Sequence, residues 1–539
     1  MDKDVERAAL DVLMQIPRRA ERLHHTTLTD TFVEVGPLFA SLRRAEHQVI
    51  YGRRGTGKTH ALGRLEGDLR GHGRCVVNID LRTIGSASGL YFDPDRDVGQ
   101  QATQLLIDVI EAVHGEIVDF ALREMDLGND ITTLVRASDL LGETATEVEV
   151  VGPVETEESS SIAAKQSDTL SAEVSFPTPK IKGTFGSDKE SQESYSARRK
   201  VSGMLRYSLK LGPLSNALRQ VVRSLPHAEL WLLLDEWSST PLDLQPFLAD
   251  LLRRAAFPIP GLVVKIAAIE RRSRFAVRGS QGNYIGIELG ADAAQDVNLD
   301  DYLIFRNESN RAERFFAELL LKHGVAIAPS IFGSFAEADD GPDRLIWTLC
   351  DDGRAFSELV QAAEGIPRDG INIAGLAAQS AGSSSFRKLR HSGPISVADV
   401  RSAARAWYLR DKEGAIVGNH VATRVLINIA AFVATRRKRT FLIRRGHDSS
   451  HEVIQELYDA RLIHLLSSGV GPHGSFDLFA LDYGGYANII YDDENAISWT
   501  EGWHVRWIDF DPSRSTDVRK AILEVSNLLA KRPPDLRTD

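Results

Sequence analysis

The sequence predicts an α/β fold built on a parallel sheet, and two motifs in their settings carry that prediction. The first is the complete phosphate-binding pattern G-x-x-x-x-G-K-[ST], which spans residues 52–59. The apolar residues 48–51 before it predict a strand, and residues 59–69 after it predict a helix. Strand, glycine-rich loop and helix in this order form the setting that the pattern requires.

The second motif is a pair of acids that follows an apolar run. Residues 230–234 are all apolar, which is typical of a strand buried on both faces of a parallel sheet, and Asp235 and Glu236 follow directly. Open α/β sheets bind their ligands at the carboxyl ends of the strands. We expect Asp235 to hold Mg²⁺ and Glu236 to polarise an attacking water. The alternative is that one of these acids only caps a helix.

The residue types of the loop suit a nucleotide polyphosphate. Its glycines permit backbone angles that direct N–H groups at phosphate, and the helix start adds a positive dipole end. Lys58 is expected to reach the β and γ phosphates, and the Thr59 hydroxyl to ligate Mg²⁺. The residues predicted to contact the nucleotide are Gly52, Arg53, Arg54, Gly55, Thr56, Gly57, Lys58, Thr59 and His60.

Composition limits the class of protein. The chain has 539 residues, enough for about three to four domains. Its net charge of −11 argues against nucleic-acid binding over the whole surface, so such a contact needs a local basic patch. No apolar run reaches the roughly 18 residues of a membrane span, the amino terminus is unlike a secretion signal, and we expect a cytoplasmic protein. Cys75 and Cys350 are expected to be buried thiols.

Further strands and an insertion complete the predicted ATPase core. Residues 75–81 and 262–269 predict two more strands, and residues 98–122 predict a long helix. Phe32 and Val33 are candidates for contacts to adenine, although plain core packing is the alternative. Residues 140–197 are rich in Ser, Lys and Glu, and they predict a flexible or partly β-hairpin insertion. No N-K-x-D guanine motif follows the acidic strand, so ATP is favoured over GTP.

Arginines cluster after the strand that ends at Ile269. One arginine between Arg271 and Arg278 is expected to act as an arginine finger on the nucleotide of a neighbouring subunit in a homo-oligomer. A solvated basic loop is the alternative for each of them.

The last third of the chain predicts a second module. Helices are expected at 397–407, 420–435 and 450–460, and strands at 462–467 and 476–482 around a glycine-rich turn, which makes a helix-helix-wing unit. A final amphipathic helix is expected at 516–529. The basic residues between Arg436 and Arg445 are expected to contact double-stranded DNA. Because the helix at 450–460 is acidic, docking of a protein partner is the alternative.

These motifs together resemble those of AAA+ ATPases of the origin-recognition and replication-initiator type. The phosphate loop, the Asp235-Glu236 pair, the strand end at Ile269 and Gly365-Ile366-Pro367-Arg368-Asp369 occur in the order seen in that family, over about residues 30 to 380. The resemblance implies that Arg368 acts as the sensor-2 arginine, which contacts the γ-phosphate from a helical lid. From the residues alone, Arg368 could equally form a structural ion pair with Asp369. The strand tip carries Glu270 and Arg271 where that family usually has Asn or Thr.

The predicted organisation is a P-loop NTPase sheet of AAA+ type, a helical lid and a winged-helix-like domain. The predicted ranges are an N-terminal helical segment at 1–30, an AAA+ core at 31–330, a lid at 331–385 and a winged-helix-like domain at 386–539. The expected function is that of an ATP-hydrolysing, Mg²⁺-dependent switch with nucleotide-controlled oligomerisation and DNA binding. The alternatives are a STAND-like signalling or antiphage-defence ATPase that recognises a protein partner, and a nucleotide-dependent scaffold that hardly hydrolyses ATP.

Overall fold

The computed structural model describes residues 3–17, 25–84, 98–145, 148–151, 154–155, 200–201, 204–207, 210–278, 284–303, 309–387, 394–492 and 515–530. Among these residues, three α-helices precede the first strand: α1 (Lys3–Gln15), α2 (His25–Thr31) and α3 (Leu38–Leu42). In the part of the chain that the structure describes, no helix is both long enough and apolar enough to cross a membrane.

Alternating strands and helices form the predicted ATPase core. Its elements in chain order are β1 (Gln48–Tyr51), α4 (Lys58–Gly71), β2 (Cys75–Asp80), α5 (Val98–Asp126), α6 (Thr132–Ala145), β3 (Val148–Val151), β4 (Val154–Glu155), β5 (Lys200–Val201), β6 (Met204–Tyr207), α7 (Leu211–Ser224), β7 (Leu230–Asp235), α8 (Gln245–Ala255), β8 (Leu262–Ala268), β9 (Ala276–Arg278), β10 (Tyr284–Gly286), β11 (Ala294–Asn298) and α9 (Leu299–Leu303).

The central sheet confirms the predicted α/β class. Its five strands are all parallel and lie in the order β11-β1-β8-β7-β2. Strand β7 is fully buried, and its side chains alternate between two cores. Leu232 and Leu234 pack with the helices α5 to α8, whereas Trp231 and Leu233 pack with α3 and α4 on the other face. The carboxyl ends of β1, β7 and β8 therefore meet at one edge of the sheet, where the predicted site residues follow.

The insertion differs from its predicted bounds. Helix α6 continues to Ala145, because Leu141 is fully buried in the core beside α5. Two antiparallel pairs follow, β3 with β6 and β4 with β5, so described strands stand on both sides of the insertion. Residues 156–199, which make up most of the predicted insertion, lie outside the described residues. The flexible character of the insertion therefore stays a prediction.

A second core joins the amino-terminal helix to the lid. The helices of this region are α10 (Ser309–Ile327), α11 (Pro329–Ala336), α12 (Gly341–Leu349), α13 (Gly353–Ala363), α14 (Pro367–Arg387) and α15 (Val397–Trp407). One hydrophobic cluster contains buried residues of α1 and of all six helices. The predicted boundaries at 330 and 385 therefore do not separate two cores, since α10 and α15 both pack with the lid.

The C-terminal module, defined here as residues 408–492 and 515–530, has a core of its own, and Tyr483 and Ala487 of its helix α18 also pack in the core of the lid helices. Its helices and strands are α16 (His420–Arg436), β12 (Thr440–Arg444), α17 (Glu452–Asp459), β13 (Ile463–Val470), β14 (Phe476–Leu481), α18 (Tyr483–Asp492), α19 (Ser515–Ala521), β15 (Ile522–Leu523) and α20 (Val525–Ala530). The antiparallel pair β13 and β14 encloses the predicted glycine turn, and β14 also pairs with β12. The order α16-β12-α17-β13-β14 is similar to that of a winged helix, with a turn at 445–450 where that fold has a further helix. The single final helix predicted at 516–529 is wrong, because β15 interrupts it to pair in parallel with β12.

The central parallel sheet encloses a lysine. The Lys265 side chain on β8 is fully buried, and its ammonium donates to the Arg44 carbonyl at 2.8 Å and to Gln48 Oε1 at 2.9 Å. Burial lowers the pKa of Lys265 to about 7, with Arg44 as a further cause. The two hydrogen bonds satisfy the amine, but no carboxylate is among these acceptors.

We expect this lysine to make stability depend on pH. Since the pKa of Lys265 is about 7 in the folded protein and near 10.5 in the unfolded chain, the unfolded chain binds the extra proton between these values. The free energy of unfolding should therefore rise from pH 7 to pH 10, by at most about 5 kcal/mol from this group. Thermal unfolding of wild type and Lys265→Met over this range checks it, because the variant should lose that part of the slope. Parallel profiles would contradict the assignment.

Candidate nucleotide site

The phosphate loop follows β1 and begins α4. Gly55 and Gly57 have φ of +87° and +96°, in the left-handed region that favours glycine, and Gly57 is the N-cap of α4. The Lys58 side chain is buried, and its ammonium donates to the carbonyls of Gly52 at 2.8 Å and Arg53 at 3.1 Å. Burial lowers the pKa of Lys58, while Glu236 and Asp235 act in the opposite direction. An anion bound in the loop would favour the charged ammonium in the same way.

Thr59 and Asp235 come together as a candidate Mg²⁺ site. The Thr59 hydroxyl donates to Asp235 Oδ2 at 2.6 Å, which joins the start of α4 to the end of β7. Burial raises the pKa of Asp235, although the bond from Thr59 lowers it. A hydroxyl and a buried carboxylate at the sheet edge are the hard oxygen donors that Mg²⁺ takes, so the residues fit this ion.

Glu236 has an unusual backbone. Its φ is +55° and its ψ is 37°, a left-handed conformation that is uncommon for residues other than glycine and occurs often at functional sites. Its N–H donates to Asp235 Oδ1 at 2.8 Å, and its carboxylate lies 3.7 Å from Arg82 Nη1. The side chain is about one quarter exposed, so it can contact water.

Arg368 lies against the phosphate loop, although it comes from the start of α14. Its N–H donates to the Gly55 carbonyl at 3.3 Å. A Cβ on Gly55 would lie 3.0 Å from the Arg368 Cβ and the Ile366 Cγ2, so the loop and the lid touch where only glycine fits. Asp369 does not form the alternative pair with its neighbour, because its carboxylate contacts Lys412, Arg461 and the Trp407 indole N–H.

A small cavity lies beside the loop, where a base would bind. Phe32, Val33 and His60 line it together with Phe315 and Pro367. Its volume is about 50 Å³, far below the roughly 300–1,000 Å³ of an ordinary small-molecule pocket. The His60 Nε2 lies 2.7 Å from the Leu28 carbonyl, and burial lowers the pKa of this imidazole. A base can enter only if these walls move apart.

The side chain of Arg53 does not point into the phosphate cradle, which corrects one predicted contact. Its Nε donates to Asp300 Oδ1 at 2.7 Å, and its backbone N–H donates to Asp300 Oδ2 at 2.9 Å. Nη1 lies 2.7 Å from His464 Nδ1 on β13, and the guanidinium lies over the Tyr458 ring. With 3% of its side chain exposed, Arg53 contacts the C-terminal module. Arg54 is exposed, but partial desolvation and the nearby Arg272 lower the pKa of its guanidinium, against the raising influence of Glu236.

Two of the predicted finger arginines also contact the C-terminal module. Arg271 Nη1 donates to Gln455 at 2.6 Å and its guanidinium lies over Tyr458, while Arg272 Nε donates to Asp459 at 2.6 Å. All three partners are on α17, the recognition helix of a winged-helix unit. Arg274 and Arg278 are exposed and remain the candidates for an arginine finger.

Buried charges join the lid to the C-terminal module. Arg439 pairs with Glu364, Arg461 with Asp369, and Lys412 lies 2.9 Å from Asp369 and 2.6 Å from Asp482. Three cations of the module thus meet two acids of the lid, with all five side chains at most 8% exposed.

One group in this network has the spacing of metal ligands. Glu364, His464 and Asp482 place ligand atoms within 4.8 Å of one another. Arg439 already neutralises Glu364, Lys412 neutralises Asp482, and both nitrogens of His464 have protein partners. These ligand atoms are therefore satisfied without a metal.

The basic cluster near Arg436 divides between surface and interior. Arg439 is buried against Glu364, so it is not available to DNA, which corrects that part of the prediction. Arg436 and Lys438 instead line an open groove of about 1140 Å³ between α16 and the chain end, with Arg519, Lys520 and the acid Glu524. Arg444 and Arg445 are exposed near the wing.

The family comparison covers the phosphate loop. Residues 17–85 match the ORC-CDC6-like family model. This stretch includes β1, the loop, α4 and β2, and it confirms the ORC-CDC6-like resemblance inferred from the motifs. No curated protein matches the sequence.

Two solved structures of similar proteins extend along most of the chain. Cdc6p from Pyrobaculum aerophilum is 12% identical, with 88% of this chain and 96% of that chain covered and a TM-score of 0.27. The Orc1 protein from Aeropyrum pernix, solved in complex with DNA, is 14% identical, with 90% and 96% covered and a TM-score of 0.28. At these values, neither similarity establishes what the ORC-CDC6-like stretch or the rest of the chain does.

Sequence reasoning missed Asp300, Tyr458 and His464. Asp300 could have been found, because it follows β11 at the same sheet edge as the other predicted residues. Tyr458 and His464 carry no local signal, since they lie on a helix and a strand whose sequence patterns only indicate a folded module.

We expect the lid-to-module pair to be costly to break from one side. Glu364→Gln leaves the Arg439 guanidinium buried without its charge partner, which should lower the free energy of unfolding by about 3–5 kcal/mol. Glu364→Gln combined with Arg439→Met should recover most of this loss, because no unpaired charge remains. Urea denaturation at pH 7 measures both.

The matched control is the pair of Arg314 with Glu318, whose side chains are 80% and 30% exposed. Glu318→Gln should change the free energy of unfolding by less than about 1 kcal/mol. Equal losses in the free energy of unfolding for Glu364→Gln and Glu318→Gln would contradict the prediction that breaking the buried pair is more costly.

Proposed function

We propose that this protein is an ATP-binding and ATP-hydrolysing AAA+ switch that depends on Mg²⁺. The observation that carries the proposal is that four groups meet at one edge of the sheet. They are the loop with Lys58, Thr59 at the start of α4, Asp235 and Glu236 at the end of β7, and Arg368 from the lid. These are the parts that phosphoryl transfer requires, since its catalysis is positioning and charge stabilisation.

Each residue has a distinct task in this proposal. Lys58 and the loop N–H groups bind the β and γ phosphates, and Arg368 adds a cation from the lid side. Asp235 and Thr59 would hold Mg²⁺, which would neutralise negative charge on the phosphates. Glu236 orients and polarises the attacking water, for which its left-handed backbone and partial exposure are suited.

The support for ATP over GTP is that no N-K-x-D guanine motif follows β7, and that the walls of the small cavity beside the loop suit a purine once they move apart. Phe32, Val33 and Phe315 offer apolar and aromatic surface to a purine, and His60 gives a polar edge. Assembly into a homo-oligomer with Arg274 or Arg278 as the finger belongs to the same proposal, because both are exposed at the strand tip.

DNA contact is proposed for the C-terminal module through the basic groove and the wing. Lys438, Arg519 and Lys520 line the groove, with Arg444 and Arg445 near the wing. Helix α17 is placed differently, since Gln455, Tyr458 and Asp459 contact the arginines of the ATPase core.

A STAND-like signalling or defence ATPase is the second candidate, and the position of α17 favours it. A winged-helix unit that packs its recognition helix on the nucleotide domain can report nucleotide state to a protein partner. The two candidates share the ATP site and differ in what the module binds.

We expect steady-state ATP hydrolysis to depend on Lys58 and Glu236. Lys58→Ala should reduce turnover roughly 10²-fold or more, because it removes phosphate binding and charge stabilisation. Glu236→Gln should reduce turnover roughly 10²-fold and retain ATP, because only water activation is lost. Phosphate release and equilibrium binding of a fluorescent ATP analogue measure the two effects separately.

The control is Asp243→Asn, which changes an exposed carboxylate of the same region. It should leave turnover at the wild-type level. If Lys58→Ala and Glu236→Gln hydrolyse ATP as the parent protein does, the site assignment is wrong. A parent protein that binds ATP but does not hydrolyse it would favour the alternative of a nucleotide-dependent scaffold.

DNA binding should depend on the groove and on salt. The triple variant Lys438→Ala, Arg519→Ala, Lys520→Ala should bind a duplex more weakly, with a log Kd versus log salt slope lower by about one for each phosphate contact removed. Fluorescence anisotropy at several salt concentrations measures it. Arg314→Ala with Arg354→Ala removes exposed cations elsewhere and should bind as wild type. ATP turnover that is indifferent to DNA would favour the protein-partnered candidate.

A further inference from the structure

A histidine of the C-terminal module contacts the phosphate loop itself. We propose that His464 is a positioning residue for this loop, and that through Arg53 it makes nucleotide binding and docking of the C-terminal module mutually favourable. The inference rests on the proposed ATP site and adds its regulation.

The contact has one consistent arrangement of protons. An arginine only donates, so His464 Nδ1 must accept from Arg53 Nη1, 2.7 Å away. The other nitrogen, Nε2, must then carry the proton and donate to Asp482 Oδ2 at 2.9 Å. Burial lowers the pKa of His464, against the raising influence of Glu364 and Asp482, which agrees with a neutral ring. His464 and Asp482 are at most 2% exposed, so water does not compete for these bonds.

Arg53 connects His464 to Lys58 of the phosphate loop. Its carbonyl accepts from the Thr56 hydroxyl at 2.8 Å and from the Lys58 ammonium at 3.1 Å. Asp300 holds the backbone and the guanidinium of Arg53 from the other side. His464 is thus two contacts from Lys58, although it belongs to a different part of the fold.

Part of the contact between the module and the rest of the chain runs through the same residues. Asp482 accepts from both His464 and Lys412, and Lys412 also reaches Asp369, the residue after Arg368. The Tyr458 ring lies between Arg53 and Arg271, whose guanidinium carbons are 5.3 and 4.7 Å from its centre. Undocking the module would therefore release the loop and the residue beside the lid arginine together.

The direction of the coupling follows from preorganisation. With the module docked, the start of the loop is fixed on two sides. Phosphate binding then has a smaller entropic cost, because less of the loop must become ordered. Because coupling free energies are reciprocal, a bound nucleotide must favour docking to the same extent.

The test compares variants of one side chain. His464→Ala should weaken ATP binding about tenfold, as expected for one lost hydrogen bond to a charged group, and should change kcat by less than about twofold. His464→Asn should restore much of the affinity, because its amide offers an acceptor oxygen and a donor NH₂ group. His447→Ala, which changes a histidine of the same module that is 92% exposed, is the control and should bind as wild type.

Two readouts separate positioning from general structural damage. ATP should slow hydrogen exchange in α17 of wild type, and this protection should be lost in His464→Ala. In a double-mutant cycle, Arg53→Ala with His464→Ala should bind ATP no more weakly than Arg53→Ala alone, since both variants remove the same bond. If His464→Ala does not fold, Arg53→Ala removes the bond from the loop side and should lose both the affinity and the protection.

The outcomes are distinct. Unchanged affinity in His464→Ala while wild type binds ATP and Lys58→Ala does not would overturn the coupling and leave the proposed function intact. Additive effects of Arg53→Ala and His464→Ala would overturn it too, because the histidine would then act by another route. A wild-type protein that does not bind ATP would overturn both the function and the coupling.

Discussion

The burial of the Arg53 guanidinium is the constraint on which the arrangement of the nucleotide site depends. A buried cation is tolerated only when paired and hydrogen-bonded, and the loop supplies no acid for it. Burial alone would lower the pKa of Arg53, whereas Asp300 and Tyr458 raise it, so the charge is retained. Because Asp300 comes from the edge of the sheet and Tyr458 and His464 from the C-terminal module, satisfying this one group brings the loop and the module together.

The lid meets the same module through charges of opposite sign. Acids of the lid, Glu364 and Asp369, face cations of the module, Arg439, Lys412 and Arg461. Buried ion pairs contribute little net stability, because desolvation offsets much of their attraction, but a wrong docking would leave several charges unpaired. We infer that these pairs specify how the module docks, while Tyr483 and Ala487 of α18, which pack in the core of the lid helices, also hold it there.

Features that depend on neighbouring residues could be predicted from the sequence, whereas contacts between residues far apart in the chain could not. The phosphate loop, the buried β7 with its two acids and the winged-helix order are each written in a few neighbouring residues, and the sheet and the wing have the predicted form. The use of Arg53 could not be predicted, since its partners lie 247 and 411 residues away and the motif allows any residue there. The same reason explains Arg271 and Arg272, whose partners on α17 lie 184 and 187 residues away.

The position of α17 separates the two functional candidates in structural terms. Gln455, Tyr458 and Asp459 cannot contact a DNA groove while they contact Arg271, Arg272 and Arg53. Duplex binding by this helix would therefore break the contacts that fix the phosphate loop. DNA binding would then weaken nucleotide binding. Binding through the groove at Lys438 and Arg519 leaves these contacts in place, so DNA and nucleotide could then be held together. The sign of the effect of DNA on ATP affinity thus reports which surface the duplex uses.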